Sequence, residues 1–290
     1  MQIRTRIYPK NFGDACVTVF MFTIIPLIYY FELWVVLPKF YSTWSLLYAF
    51  HFCMGNFILL NVCSNLMAVI LCDTSLKNKI IPSDGGRKWK FCSVCETVTP
   101  PRSWHCNTCN TCILKRDHHC MFTSCCIGHY NHRYFMVFVS YIFLATVYAT
   151  YYNLYFIQDY IVVVSWLSVL KIVFPLATLF LEFTEIQLYV FFILVVMLGG
   201  FFTGTLLFYH LNLILKGRVT PERKEKMSPY DKGKIENFKI VFGERWYLVW
   251  LSPLIKSELP CDGINWETKG SVKGSLIIIY IHTVFKFLHK

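Results

Sequence analysis

The chain has 290 residues, of which 56% are hydrophobic, 18% aromatic and 16% charged, with a formal net charge of +11. That composition excludes an ordinary water-soluble domain and indicates an integral membrane protein. The surplus Lys and Arg flank apolar stretches instead of gathering in one recognition helix, which argues against nucleic acid and for anionic membrane lipids and phosphorylated substrates as partners.

Four stretches are long enough to cross a hydrocarbon core of about 30 Å. The first, roughly Cys16–Leu37, is too long for a signal peptide and lacks a convincing cleavage site. Glu32 reads as lying near its lumenal end. The second span, Leu47–Leu71, carries Asn61 and Asn65 one helical turn apart, so both are expected to make interhelical hydrogen bonds. Cys16, Cys53, Cys63 and Cys72 read as apolar packing residues, with Cys72 at the cytosolic edge a weaker candidate for acylation. A basic, cysteine-rich loop, Asp73–Arg133, precedes the third span, Tyr134–Ile157. Tyr160–Leu181 is also apolar. Counting it as a fifth span would put two basic segments on opposite sides of the membrane, so it reads as a lumenal re-entrant or interfacial element. The fourth span is Gln187–Ile214, and the apolar Gly274–Leu288 near the C-terminus reads as an interfacial helix. No internal repeat is visible.

Three basic residues precede the first span, nine lie between Lys77 and Arg133, and fourteen follow Leu215, whereas the other two connections hold only Lys39 and Lys171. By the positive-inside rule the N-terminus, the cysteine-rich loop and the C-terminal tail face the cytosol. Thiols clustered in that reducing compartment are metal ligands or nucleophiles rather than disulfides.

Eight of the thirteen cysteines fall between Cys92 and Cys126. The spacing runs Cys92-x2-Cys95, His105-Cys106-x2-Cys109-x2-Cys112, then Asp117-His118-His119-Cys120 and Cys126. Structural zinc sites take four Cys or His ligands each, so Cys92, Cys95, His105, Cys106, Cys109, Cys112, His119 and Cys126 suffice for two structural Zn2+. Spacing alone leaves open which ligands share an ion. With four protein ligands per ion no position remains for a bound water, so the metal reads as scaffold rather than catalyst. Cys125 reads as a bystander beside a ligand.

Asp117, His118 and Cys120 are left over. Along an extended segment His118 and Cys120 share a face while His119 points to metal. A histidine beside a thiol favours the thiolate, and Asp117 would orient the imidazole if the chain turns at Asp117–His118. A nucleophile at the membrane surface calls for an amphiphilic electrophile. Long-chain acyl-CoA fits: its thioester meets Cys120, its phosphates meet basic residues such as Lys115, Arg116 or Arg133, and its chain enters the bundle. Exchanging one thioester for another needs no energy-coupling cofactor.

The whole string from Cys92 to Cys126, continued by Asn131 and Phe135, resembles the cysteine-rich domain of the DHHC protein S-acyltransferases, or palmitoyltransferases. Val219-Thr220-Pro221-Glu222 is similar to that family's Thr-Thr-x-Glu motif, and Tyr230-Asp231-x-Gly233-x3-Asn237 with Val241-Phe242-Gly243 to its C-terminal motif. The tail from Trp246 to Trp266 is similar to a vertebrate and insect branch of it. The resemblance implies one zinc on Cys92, Cys95, His105 and Cys112 and a second on Cys106, Cys109, His119 and Cys126. It also implies Cys120 as acyl carrier, His118 as base and Asp117 as its support.

Three segments depart from the family. Met121-Phe122-Thr123-Ser124-Cys125 replaces Pro-Trp-Val-Asn-Asn, Asp73-Thr74-Ser75 stands for Asp-Pro-Gly, and Val219 replaces the first Thr. They motivate a second reading, a catalytically weak membrane adaptor that binds partner proteins.

The expected fold is therefore an all-α polytopic membrane protein, a four-transmembrane-helix bundle with a cytosolic zinc-organised cysteine-rich domain between spans 2 and 3. Its divisions are 1–72, 73–133, 134–214 and 215–290. The expected activity moves an acyl group from palmitoyl-CoA to cysteines of membrane-associated proteins, and the resemblance implies Golgi or endoplasmic reticulum membranes.

Overall fold

Asn11 caps the first helix by accepting from the backbone N–H of Asp14 at 2.7 Å. Helix α1, Phe12–Tyr30, runs on through a π-helical turn at Phe31–Val36 into a short α2, Leu37–Phe40. Ser45 caps α3, Leu46–Leu71, and Thr184 caps α5, Glu185–Leu215; α4 is His132–Gln158 and α6 is Lys234–Phe242. This computed structural model describes residues 2–268 apart from 6, 78, 82–88, 226–227 and most of 159–183. Most of Tyr160–Leu181, and all of Gly274–Leu288, lie outside the described residues.

Four helical stretches, Phe12–Phe40, Leu46–Leu71, His132–Gln158 and Glu185–Leu215, are long and apolar enough to cross a membrane. Helix α4 packs on both α3 and α5. Gly204 makes the second contact close: a Cβ there would lie 2.7 Å from the Phe143 ring, a use of small residues typical of helices packed in lipid. Glu32 sits on the π turn and accepts from Asn153 of α4 at 2.8 Å.

Three expectations for the spans need correction. Asn61 and Asn65 do not bond between helices; each donates back one turn, to Phe57 and Asn61 carbonyls at 3.1 and 2.9 Å, because the i−4 carbonyl is the nearest acceptor to a short amide on a helix. Cys16, Cys53 and Cys63 are exposed on the outside of the bundle, where a thiol is apolar enough for lipid. Cys72 alone packs inside, at 1% exposure, which leaves it no access to an acyl donor.

The chain is also not all-α. Among the described residues between α3 and α4 lie six three-residue strands: β1 (Lys90–Cys92), β2 (Thr97–Thr99), β3 (Trp104–Cys106), β4 (Thr111–Ile113), β5 (His118–Cys120) and β6 (Cys125–Ile127). They pair as three antiparallel hairpins. Segments this short carry no readable alternation of polar and apolar residues, so sequence periodicity could not reveal them. Asn131 fastens the last hairpin to the bundle: it accepts from Gly128 N and donates to the Cys126 carbonyl, at 2.8 and 3.0 Å, at the threshold of α4.

Candidate functional site

The three hairpins repeat at an interval of fourteen residues. Strands β1, β3 and β5 begin at Lys90, Trp104 and His118, and the left-handed turn residues are Glu96, Asn110 and Ser124. The ligands repeat as well: Cys92, Cys95, His105 and Cys112 form one group, and Cys106, Cys109, His119 and Cys126 form the other, each displaced by fourteen. This corrects the expectation of no internal repeat. Apart from the ligands few positions repeat, among them Thr97 and Thr111, Arg102 and Arg116, and Ile113 and Ile127, so the period is faint until the hairpins are seen.

Each group takes two turn cysteines from one hairpin and a cross-strand His–Cys pair from the next, His105 opposite Cys112 and His119 opposite Cys126. In the first group the sulfurs lie 3.7, 3.3 and 4.0 Å from His105 Nδ1. In the second they lie 3.7, 3.4 and 3.7 Å from His119 Nδ1. Zinc bonds of about 2.3 Å to S and about 2.0 Å to N at the tetrahedral angle separate S from N by about 3.5 Å. Both groups fit zinc, and all thirteen cysteines are free of disulfides.

The third hairpin explains why one cysteine is left over. Cys120 occupies the position of Cys92 and Cys106, the first ligand of each turn pair, while Thr123 stands where Cys95 and Cys109 stand. No fourth hairpin follows to supply a His–Cys pair. Cys120 is therefore placed like a member of such a group and belongs to neither. Where the Cys109 N–H donates to Cys106 sulfur at 3.4 Å, the hydroxyl of Thr123 donates to the Cys120 carbonyl at 3.4 Å. Cys125 belongs to neither ligand group; its thiol donates to the Val69 carbonyl and to Thr123 Oγ1.

His118, on the same strand face as Cys120, hydrogen-bonds Asp117 Oδ2 through Nδ1 at 2.7 Å and interacts electrostatically with the Cys120 thiol. Burial would lower the pKa of His118, but the interactions with Asp117 and Cys120 outweigh it and raise it to about 9. Burial also pushes the Cys120 thiol up, and His118 with the Thr123 contacts more than reverses this, bringing it below its ordinary value. For Asp117, burial is overcome by the His118 bond and by the neighbouring His132 and His210, and the carboxyl is held well below the usual carboxylate range. The three side chains thus favour an imidazolium–thiolate pair backed by a carboxylate.

The tail holds this arrangement in place. Thr220 donates to Asp117 Oδ1 from its backbone at 2.9 Å and to Oδ2 from its hydroxyl at 3.0 Å. Val219, the departure beside it, serves through its backbone, donating to Glu222 at 3.1 Å. Glu222 in turn takes two bonds from Arg102 at 2.8 and 2.7 Å, both side chains being buried. Arg102 lies in the angle between Tyr230 and Trp266, 4.5 Å from each ring. Asn237 links Asp231 and the Leu215 carbonyl, seating α6 on the end of α5. Arg102→Ala would leave the Glu222 carboxylate buried and unpaired, so a stability loss of about 3–5 kcal/mol is expected in thermal unfolding, with slower acylation as Thr220 loosens. Glu222→Gln, which keeps a hydrogen bond, should lose less.

Sequence reasoning missed His210 and misplaced Lys115. His210, on α5, stacks on His118 at 5.1 Å between centroids and brings Nδ1 to 3.4 Å from Asp117 Oδ2. Its signal was available: an imidazole within a membrane span is costly unless it serves a site. Lys115, expected to meet phosphates, is 2% exposed and turned inward beside Arg102 and Trp266. Its left-handed backbone, φ 43°, sends the side chain under the tail. Burial and the Arg102 charge lower its pKa to about 8. Arg116 is drawn electrostatically to the sulfurs of Cys126 and Cys106, and Arg133 donates to the Ser257 carbonyl at 3.0 Å.

The residues from 86 to 227, which hold the three hairpins and the Thr220–Glu222 turn, match the family model described as DHHC palmitoyltransferase. Similar proteins include one named "Probable palmitoyltransferase ZDHHC24" from Danio rerio, 34% identical over 80% of this chain and 80% of the relative. Its namesake from Homo sapiens is 31% identical over 77% of this chain and 80% of its own length. A "Putative ZDHHC-type palmitoyltransferase 2" from Dictyostelium discoideum is 35% identical over 70% of this chain and 45% of its own. With the Danio rerio and Homo sapiens relatives matched along four fifths of their length and the family's domain spanning the site, the chain belongs to the DHHC palmitoyltransferase family.

Proposed function

We propose that this protein S-acyltransferase carries a long-chain acyl group from acyl-CoA, palmitoyl-CoA foremost, through a thioester on Cys120 to cysteines of membrane-associated proteins. His118 Nε2 takes the Cys120 thiol proton, and the thiolate attacks the acyl-CoA carbonyl. The carbon–sulfur bond to coenzyme A breaks, and the departing thiolate takes the proton from the His118 imidazolium. In the second half His118 accepts the proton of the incoming protein thiol, that sulfur attacks the acyl carbon, and Cys120 leaves as the thiolate. Asp117 keeps the imidazole turned toward Cys120 throughout. The observation that carries this reading is the hydrogen bond of Asp117 to His118, with His118 and Cys120 on one strand face and Cys120 outside both ligand groups.

The two ligand groups hold structural zinc, which when bound supplies the rigidity of the hairpins on either side of Cys120. The basic flanks favour the cytosol for the hairpins and the tail, in contact with membrane lipids, and the family favours Golgi or endoplasmic reticulum membranes.

Purified protein incubated with an alkyne-tagged acyl-CoA should gain a hydroxylamine-sensitive label, and a cysteine peptide added afterwards should take that label over. Zinc-loaded protein that binds the acyl-CoA without ever becoming labelled would leave only a binding role. Metal removal should act through folding, since structural zinc is worth on the order of 10 kcal/mol per ion. Cys95→Ser, on the hairpin that serves one ion, should cost about one zinc; His105→Ala and Cys109→Ser lie on the hairpin that serves both and should cost more, with lower protein abundance. Zinc content by mass spectrometry checks this order.

A further inference from the structure

The two ligand groups are built from one repeating unit, yet among the described residues the second has a support that the first lacks. His119 presents Nδ1 to its three sulfurs, and its other ring nitrogen, Nε2, lies 2.9 Å from Asp14 Oδ2. Asp14 comes from the first turn of α1, 105 residues away in sequence. Both groups are sheltered: the side chains of His119 and Asp14 are 13% and 3% exposed. Among the described residues no carboxylate is bonded to His105, the corresponding ligand of the first group.

We propose that Asp14 is the outer partner of the second zinc site, so that the cytosolic end of the first span is part of that site. The proposal rests on the zinc reading above. Its chemistry is specific. A histidine that gives Nδ1 to a metal must carry its proton on Nε2, and a carboxylate accepting that proton fixes the tautomer, holds the ring plane and makes the ligating nitrogen more basic. Outer carboxylates of this kind change metal affinity by about 10–100-fold.

Other contacts show that the same helix end is docked here. Lys10 donates to the Cys109 carbonyl, in the turn that supplies two sulfurs of the second group. Thr18 pairs with Ser124 Oγ at 2.7 Å and reaches the Met121 carbonyl at 3.3 Å, on the turn that follows Cys120. The backbone of Ser124 is left-handed, a conformation that favours Asn, the residue the family usually has there. The Thr18 bond compensates for Ser at that position. One end of α1 therefore grips the second zinc group and the turn of the acyl-carrying cysteine together.

The test is zinc release from the purified full-length protein in detergent. A chelator is added in excess, thiols are alkylated with N-ethylmaleimide at intervals, and peptide mass spectrometry reads the two ligand groups separately. In Asp14→Ala, alkylation of Cys106, Cys109 and Cys126 should accelerate about 10–100-fold, while Cys92, Cys95 and Cys112 react at the wild-type rate. Asp14→Asn, nearly isosteric and still able to accept a hydrogen bond, should fall between and covers the case in which the alanine variant fails to fold. Thr18→Ala controls for loss of docking alone and should leave both rates near wild type. Unchanged release in both Asp14 variants, or equal acceleration of both groups, would overturn the proposal. Wild-type protein in which zinc protects neither group would overturn the ligand assignment itself, and the proposal with it.

Discussion

Cys120→Ser is expected to abolish acyl-enzyme formation, lowering loading by on the order of 10⁴-fold or more, with zinc content and protein abundance unchanged. A serine hydroxyl fills the site, but its proton is held far too tightly for a histidine to make a standing alkoxide, whereas a thiol can be ionised by His118 before the acyl donor arrives. Zinc content should survive because Cys120 touches neither ligand group. The result is sharpened by a comparison with Cys125→Ser. Cys125 lies directly across the hairpin from Cys120 and is equally buried, so a general effect of thiol loss in this turn would appear in both variants. Only the Cys120 variant should lose the hydroxylamine-sensitive band. Full labelling of Cys120→Ser would remove this residue from the reaction.

The repeat clarifies what the sequence could and could not disclose. The metal ligands were legible because coordination demands particular residue types at short intervals. The four long helices were legible because hydrocarbon demands length and apolarity. What stayed hidden was everything fixed by packing between distant segments. Nothing near Asp14 in the chain marks it as the neighbour of His119; a span had to bring residues together across an interval that no local pattern encodes. Arg102 and Glu222, and likewise His210 and Asp117, meet in the same way.

Lys115 failed for another reason. A basic residue beside a reactive site looks like a phosphate contact, but a left-handed backbone turned it under the tail. The departures after Cys120 also look different once folded. Met121–Thr123 forms a 3-10 turn, Thr123 is fully buried against Cys120, and Ser124 is tied to Thr18. The turn is substituted in sequence and still ordered around the nucleophile, which favours an enzyme over an adaptor.

The second large effect concerns the base. In the wild type, His118 keeps its proton up to about pH 9 while the Cys120 thiol gives its proton up below the ordinary thiol value. The imidazolium–thiolate pair therefore exists between those limits, and it is lost as pH falls through the lowered thiol pKa. Loading measured between about pH 6 and about pH 9 should change little over the upper part of that range and fall at its acid end. His118→Ala removes the interaction that lowers the thiol pKa and leaves the burial that raises it, so the thiol should ionise only above its ordinary value of about 8.5. Near pH 7, loading should drop about 10²–10⁴-fold and then climb steadily with pH.

Asp117→Ala should cost less, because the base remains while its orientation is lost, and its deficit should shrink toward about pH 8.5 as the thiol ionises without help. It should not shrink to nothing: Asp117 also receives both Thr220 bonds, so its removal frees the tail from the site, a defect no change of pH repairs. Single-turnover loading with zinc content measured in parallel separates these cases. A His118→Ala enzyme with both ions in place and a wild-type pH profile would mean that the proton goes elsewhere, and His210, the next imidazole on Asp117, would be the residue to examine.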